Sequence, residues 1–149
     1  METLNLPAYP FRTRERGGKQ EIFDPIRRKY VRLTPEEWVR QHFVQYLIRE
    51  HDVPRGLVAV EHAFTDRQMP RRADVVVHDR RGAPLLIAEC KAPGVAIGQD
   101  TFDQVARYNR VLRVPYLVVT NGLEHYACRI DFEGASYRFL DELPLYDDL

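Results

Sequence analysis

No apolar stretch of this chain approaches the ~20 residues that a helix needs to cross a bilayer. The N-terminus, METLNLPAYPF, carries neither the basic head nor the apolar core of a leader peptide. These two absences predict a cytoplasmic protein with no membrane association. Cysteine is scarce: Cys90 and Cys128 are the only two, each inside an apolar, strand-like run. Reduced core thiols fit this usage better than a disulfide framework. No Gly-x-x-x-x-Gly-Lys-Ser/Thr occurs within the 149 residues, which excludes nucleotide binding through a P-loop here. The five histidines (His42, His51, His62, His78 and His125) share no metal-ligand spacing, and the single tryptophan, Trp38, reads as packing. Repeats and low-complexity segments are absent as well.

An excess of charge of either sign is also lacking. Twenty-two cations balance twenty-two anions, which argues against an indiscriminate binder of nucleic acid. Lysine is rarer still, supplying only Lys19, Lys29 and Lys91 of the 22 cations. The charge that is present is uneven. Residues 1–32 carry eight cations against four anions, and residues 131–149 carry six anions against Arg138. With 44% hydrophobic residues the chain can bury a core, and its length predicts a single domain over residues 1–149.

Residues 1–20 read as an irregular arm, followed by a short hairpin turning at Asp24-Pro25. Residues 33–50, LTPEEWVRQHFVQYLIRE, carry the start signals of a helix: Thr34 as N-cap, Pro35 at the first helical position, and Glu37 placed to close a capping box. Its apolar stripe is Val39, Phe43, Tyr46 and Leu47. Strands are predicted at 56–64, 73–79 and 84–91, with TDRQMPRR as the loop between the first two and DRRGAP as the tight turn before the third. A second helix follows at 100–112, with Phe102, Val105, Ala106 and Val111 or Leu112 turned inward. PYLVVT, at 115–120, is continuously apolar in the manner of a buried parallel strand, and Asn121-Gly122 marks a hairpin into EHYACRIDF. A right-handed crossover through the second helix sets strand 115–120 parallel to strand 84–91. The predicted fold is α/β: a mixed sheet flanked by helices, with an αβββαβ core and a short N-terminal β extension.

The stretch LLIAECKAPG, residues 85–94, is the one that carries chemistry. An apolar strand ends in Glu89-Cys90-Lys91, and alternation with period two turns Glu89 and Lys91 to one face. Unpaired charges are costly to bury, so such a pair sits at a wet edge or in a site that uses it. The turn at 80–83 folds strand 73–79 back and brings Asp74 opposite residues 87–89. Two neighbouring carboxylates repel unless a cation lies between them. Hard oxygen ligands suit Mg²⁺, which binds through one or two carboxylates and keeps waters and phosphate oxygens. Such an ion at Asp74 and Glu89 would polarise a phosphodiester, with Lys91 orienting the attacking water. Cys90 reads as a core thiol rather than a nucleophile.

Asp74 on one strand and Glu89-Cys90-Lys91 on the next resemble the PD-(D/E)XK nuclease signature, with Arg72-Ala73 where the eponymous proline would stand. Gln104 and Tyr108, in QVARY, resemble the Gln-x-x-x-Tyr motif of related nuclease branches. Together LTPEEWVRQHF, RRADVVVHDRRG, LLIAECKAP, FDQVARYN and LVVTNGLEHYACRID resemble the N-terminal nuclease-like domain of type I restriction enzyme R subunits, over residues 21–142. The resemblance implies a restriction-endonuclease-like fold and Mg²⁺-dependent cleavage of DNA, with Mn²⁺ able to substitute. It implies metal ligation by Asp74, Glu89, the Cys90 backbone carbonyl and Glu36, with Lys91 and Gln104 catalytic and Tyr108 and Arg72 in support. The implied partners are DNA, a separate helicase, translocase or restriction subunit, and a second copy of the chain.

Glu36 and Glu37 compete as the acidic contribution of the first helix. Glu36 lies three, seven and eleven residues before Val39, Phe43 and Leu47, which places it on the inward stripe. Glu37 is expected to be spent on the capping box. The alternative to a nuclease is a catalytically silent nucleic-acid-binding or assembly module that keeps the fold without turnover.

Overall fold

In the computed structural model, which describes residues 1–149, Thr34 caps the first helix as its position foretells. Its hydroxyl accepts from the Glu37 N–H at 3.0 Å, and α1 runs Pro35–Glu50. Before it, β1 (Thr13–Arg16), β2 (Lys19–Asp24) and β3 (Lys29–Arg32) form a small antiparallel sheet. The arm expected to be irregular through residue 20 thus contains β1. Gly17 and Gly18, both at positive φ, make the two-residue turn that pairs it with β2.

The main sheet has six strands: β4 (Val58–Asp66), β5 (Met69–His78), β6 (Pro84–Cys90), β7 (Tyr116–Thr120), β8 (His125–Asp131) and β9 (Ser136–Leu140). They lie side by side in that order, and only β6 and β7 are parallel, joined through α2 (Gln99–Leu112). The αβββαβ core is therefore α1, β4, β5, β6, α2 and β7, a mixed sheet with a helix on each face. Val39, Phe43, Val44 and Leu47 of α1 pack on Val75, Val77, Leu86, Ala88 and Val118. Val105 of α2 packs on Ala73, Val76, Ile87, Leu117 and Val119.

Three sequence expectations are corrected. The loop read at 65–72 is a two-residue turn, with Arg67 and Gln68 at φ 51° and 65° and Asp66 paired to Met69. Neither residue is the Gly or Asn that such a turn favours, so its usual signal is missing. On α2, Leu112 rather than Val111 packs inward, but Ala106 faces solvent and Asn109 takes an inner place instead. The Asn109 amide donates to the Val114 carbonyl and accepts from the Val114 N–H, stapling the helix end to the approach of β7.

The third correction concerns Glu37, which does not reach back to cap the helix. It is buried, and its carboxylate accepts from Arg27, Arg40 and Gln41. Removing one partner of a buried charge network leaves the others uncompensated. Glu37→Ala is therefore expected to cost about 3–5 kcal/mol in urea unfolding, well beyond the roughly 1 kcal/mol of a lost helix cap. A loss no larger than a cap's would show that the network contributes little.

Candidate active site

A regular strand turns residues two apart to the same face, yet Ala73 packs under α2 while Val75 packs under α1. On the neighbouring strand Val60 and Phe64 are split in the same way. Both strands change face between the pairs Val60–Val75 and His62–Ala73, where Glu61 lies opposite Asp74. Glu61 has φ 55°, a left-handed conformation that costs a non-glycine residue of order 1–3 kcal/mol. The register of β5 with β6 (Val75 to Ala88) carries on to set Asp74 beside Glu89. The break in alternation thus gathers one carboxylate from each of three adjacent strands: Glu61, Asp74 and Glu89.

Each carboxylate has distinct partners. Asp74 Oδ2 accepts from the Cys90 backbone N–H at 2.8 Å, and its Oδ1 accepts from Arg40 Nη2 at 3.1 Å. Arg40, projecting from α1 and 5% exposed, also lies 3.0 Å from Glu61 and 2.8 Å from Glu37. Glu61 in turn holds the exposed Arg72 at 3.1 Å. Glu89 is buried, with Lys91 Nζ 3.5 Å from its Oε1 and no hydrogen-bond partner for its Oε2. Burial, then the charge of Asp74, push the Glu89 carboxyl up to about 8, with Lys91 opposing them. The Cys90 thiol is fully buried and held well above its ordinary range by burial and Asp74, which removes it as a nucleophile.

Glu36 stands at the rim rather than on the buried stripe, its side chain 48% exposed and 3.9 Å from Arg40. Partial burial and the nearby Asp74 raise its carboxyl, while Arg40 and Lys91 lower it. No three His, Cys, Asp or Glu side chains form a ready-made metal cage. Asp74 and Glu89 nevertheless suit a hard dication that takes two protein carboxylates and fills its shell with water and phosphate. The buried, unpartnered Glu89 Oε2 is the atom that such an ion would satisfy.

The sequence of residues 35–144 matches the family described as type I restriction enzyme R protein N terminus (HSDR_N). The chain belongs to this family. The endonuclease subunit of the type I restriction enzyme EcoAI from Escherichia coli is 36% identical over 67 residues, a match spanning 45% of this chain and 8% of that protein. A fragment structure described as an HsdR subunit of a type I restriction enzyme from Vibrio vulnificus YJ016 superposes with a TM-score of 0.58 at 22% identity. It covers 78% of this chain and 24% of that one, and it supports the fold.

In this R-protein domain the structure brings Asp74, Glu89, Lys91, Glu36 and Arg72 into one neighbourhood. Gln104 and Tyr108 lie elsewhere: Gln104 Nε2 donates to Tyr108 Oη at 3.1 Å, in a concavity that none of those residues lines. Arg40 and Glu61 escaped the sequence reading. Arg40 did leave a signal, as a charge set between the inward residues Val39 and Phe43, where it requires partners.

Glu89 makes the metal-free domain sensitive to pH. Between an ordinary carboxyl value and about 8 the folded chain keeps a proton that the unfolded chain releases. The folded state then binds more protons, so stability falls as pH rises. Urea unfolding in EDTA is expected to show lower stability at pH 8 than at pH 5.5, and Glu89→Gln should flatten that slope. A slope unchanged by Glu89→Gln would assign the proton to another group.

Proposed function

We propose that this domain is a Mg²⁺-dependent deoxyribonuclease of the restriction type, hydrolysing DNA phosphodiester bonds as part of a larger R subunit. The observation that carries this reading is the Asp74–Glu89 pair on adjacent strands, with an unpartnered buried oxygen on Glu89 and Lys91 beside it. Asp74 and Glu89 would hold the dication, joined by the Cys90 backbone carbonyl and, through water, by Glu36. When bound, Mg²⁺ supplies Lewis acidity toward the scissile phosphate and acidifies a water.

The protein's own share is placement and charge. Lys91 presents a compact ammonium at the wall of the site, where it can hold the attacking water and offset charge on the phosphate. The Cys90 N–H fixes the carboxylate plane of Asp74. Glu36 is exposed enough to accept a proton from a rim water. Arg40, already engaged on Asp74, keeps the cluster neutralised without a metal. The family match further supports work within a restriction complex, alongside a separate motor or restriction subunit.

A second reading, a silent binding or assembly module, draws on that same arginine: an ion pair on Asp74 is how a metal site is neutralised once chemistry is abandoned. Calorimetry with Mg²⁺ and Mn²⁺, followed by cleavage assays on linear, supercoiled and single-stranded DNA, separates the two. Asp74→Asn is expected to abolish both metal binding and cleavage. Lys91→Arg should keep the fold and the metal but lose most cleavage, because a planar guanidinium cannot replace a compact ammonium beside water. Glu36→Gln should lower cleavage with little change in melting temperature. A wild-type chain that binds neither ion at millimolar concentration and cuts no better than Lys91→Arg establishes the module instead.

A further inference from the structure

The closing end of the β4–β5 hairpin meets the outer side of α2 in a second concavity of about 320 Å³. Asp66 and Arg71 line it from the hairpin, and Gln104, Arg107, Tyr108 and Arg110 line it from the helix. The edge of the Phe64 ring against Tyr108, at 5.4 Å, docks hairpin on helix and fixes the two walls. The two-residue turn at Arg67 and Gln68, both left-handed, closes the hairpin at the end that meets α2.

The lining is unbalanced in both charge and hydrogen bonding. Three guanidiniums face one carboxylate, and that carboxylate is already taken, Arg110 Nη2 lying 2.8 Å from Asp66 Oδ2. Arg71 and Arg107 make no ion pair and no side-chain hydrogen bond within the chain, unlike Arg27, Arg40 and Arg72, which are all paired. The bond from Gln104 to Tyr108 leaves the second amide N–H of Gln104 and the hydroxyl proton of Tyr108 unspent. Apart from the Gln104 carbonyl and the other Asp66 oxygen, every free polar group in the concavity is a donor. A donor-lined, doubly positive hollow recognises a tetrahedral oxyanion: guanidiniums pair with phosphate through two parallel bonds, and neutral donors complete its shell.

The location narrows the source of that phosphate. Arg71 precedes Asp74 by three residues on β5, about 10 Å along the strand at roughly 3.3 Å per residue. Successive phosphates of one strand are separated by their axial rise of about 3.4 Å and by rotation about the axis, so a phosphate held here stands within a few nucleotides of one at Asp74. We propose that this concavity is a phosphate-binding site that grips the backbone of the nucleic acid presented to Asp74 and Glu89. Arg71 and Arg107 supply the charge, and Gln104 and Tyr108 act as positioning donors rather than catalytic groups. The identity of the polymer rests on the proposed nuclease function; the affinity for phosphate does not.

The test measures binding alone, by fluorescence anisotropy of labelled duplex and single-stranded oligonucleotides in EDTA across a salt series. Arg71→Ala/Arg107→Ala is expected to weaken binding tenfold or more at 50 mM salt and to lower the log–log salt slope by about 2, at roughly 0.9 per phosphate contact. The control, Arg16→Ala/Arg81→Ala, removes the same charge from exposed sites elsewhere and should stay within twofold. Inorganic phosphate at constant ionic strength should compete with DNA on the wild type but not on the double variant. Equal losses in the two double variants, no loss in the first, or a wild type that binds no DNA at low salt each overturn the site. Phosphate-dependent stabilisation without DNA binding would mark a free-anion site and overturn the backbone assignment. A wild type that binds DNA through Arg71 and Arg107 yet never cuts defeats the nuclease reading and leaves this site standing.

Discussion

One arginine ties the molecule together. Arg40 leaves α1 and places a single guanidinium among Glu37 on its own helix and Glu61 and Asp74 on the main sheet. Glu37 extends the chain of charges to Arg27, and Arg27 to Asp24, whose carboxylate also caps the turn between β2 and β3. At the other end Glu61 reaches Arg72. The small N-terminal sheet, the first helix and the two strands bearing the candidate site are thus joined by alternating charges across a mostly buried path. Ion pairs of this kind are a poor source of net stability, because desolvation offsets much of the attraction. Their value lies in geometry: with these partners α1 has one register in which every carboxylate finds its guanidinium.

That register matters because the strands beneath α1 are not regular. Were β5 to alternate without interruption, Asp74 would share the face of Val76, in the apolar core under α2 and away from Arg40. The face change at Glu61 and Asp74 turns both carboxylates to one place, at the cost of a left-handed backbone at Glu61. Strain at an interrupted strand persists where surrounding contacts over-determine it, and the Arg40 fork supplies those contacts. A lysine there would offer a single charge centre rather than a planar fork, and would not hold two strands and a helix at once. The chain's preference for arginine has its clearest physical purpose at this position, while lysine is kept at 91, where a compact ammonium faces a water-accessible wall.

The parts of this arrangement that were legible in the sequence are the local ones. The β5–β6 turn at 80–83 sets a register within a few residues, so the meeting of Asp74 with Glu89 follows from spacing alone. The crossover, the parallel pair and both helices likewise follow from apolar periodicity and caps. The interrupted alternation did not show, because Glu61 and Asp74 are ordinary strand-compatible residues whose backbone is set by tertiary contacts. The grounds given for Glu36 and Glu37, an inward stripe and a capping box, failed for a related reason. An apolar stripe locates one buried side of a helix, whereas α1 is covered by the main sheet and by the N-terminal sheet and arm. Nine of its sixteen residues are buried, several of them polar. Glu37 is inward because Arg27 and Arg40 await it, and pairing across separate elements leaves no periodic trace.

A net charge of zero argues against an indiscriminate binder of nucleic acid, and the structure shows how unevenly that sum is distributed. Cancellation by close ion pairs is dense around the acidic cluster and sparser along α2, where Arg110 pairs with Asp66 while Arg71 and Arg107 stay unpaired. Around Asp74 and Glu89, Arg40, Lys91 and Arg72 neutralise the carboxylates at short range, so that region projects little field. Along α2 and the β4–β5 hairpin, Arg71 and Arg107 make no ion pair, and Asp100 and Asp103 stand toward the start of α2 without lining the concavity. At physiological salt charges separated by more than about 8 Å are largely screened from one another. A polyanion at the concavity therefore meets the three arginines and one aspartate that line it rather than the total. Neutrality overall limits indiscriminate binding, and it confines the proposed phosphate contacts to the concavity between the β4–β5 hairpin and α2.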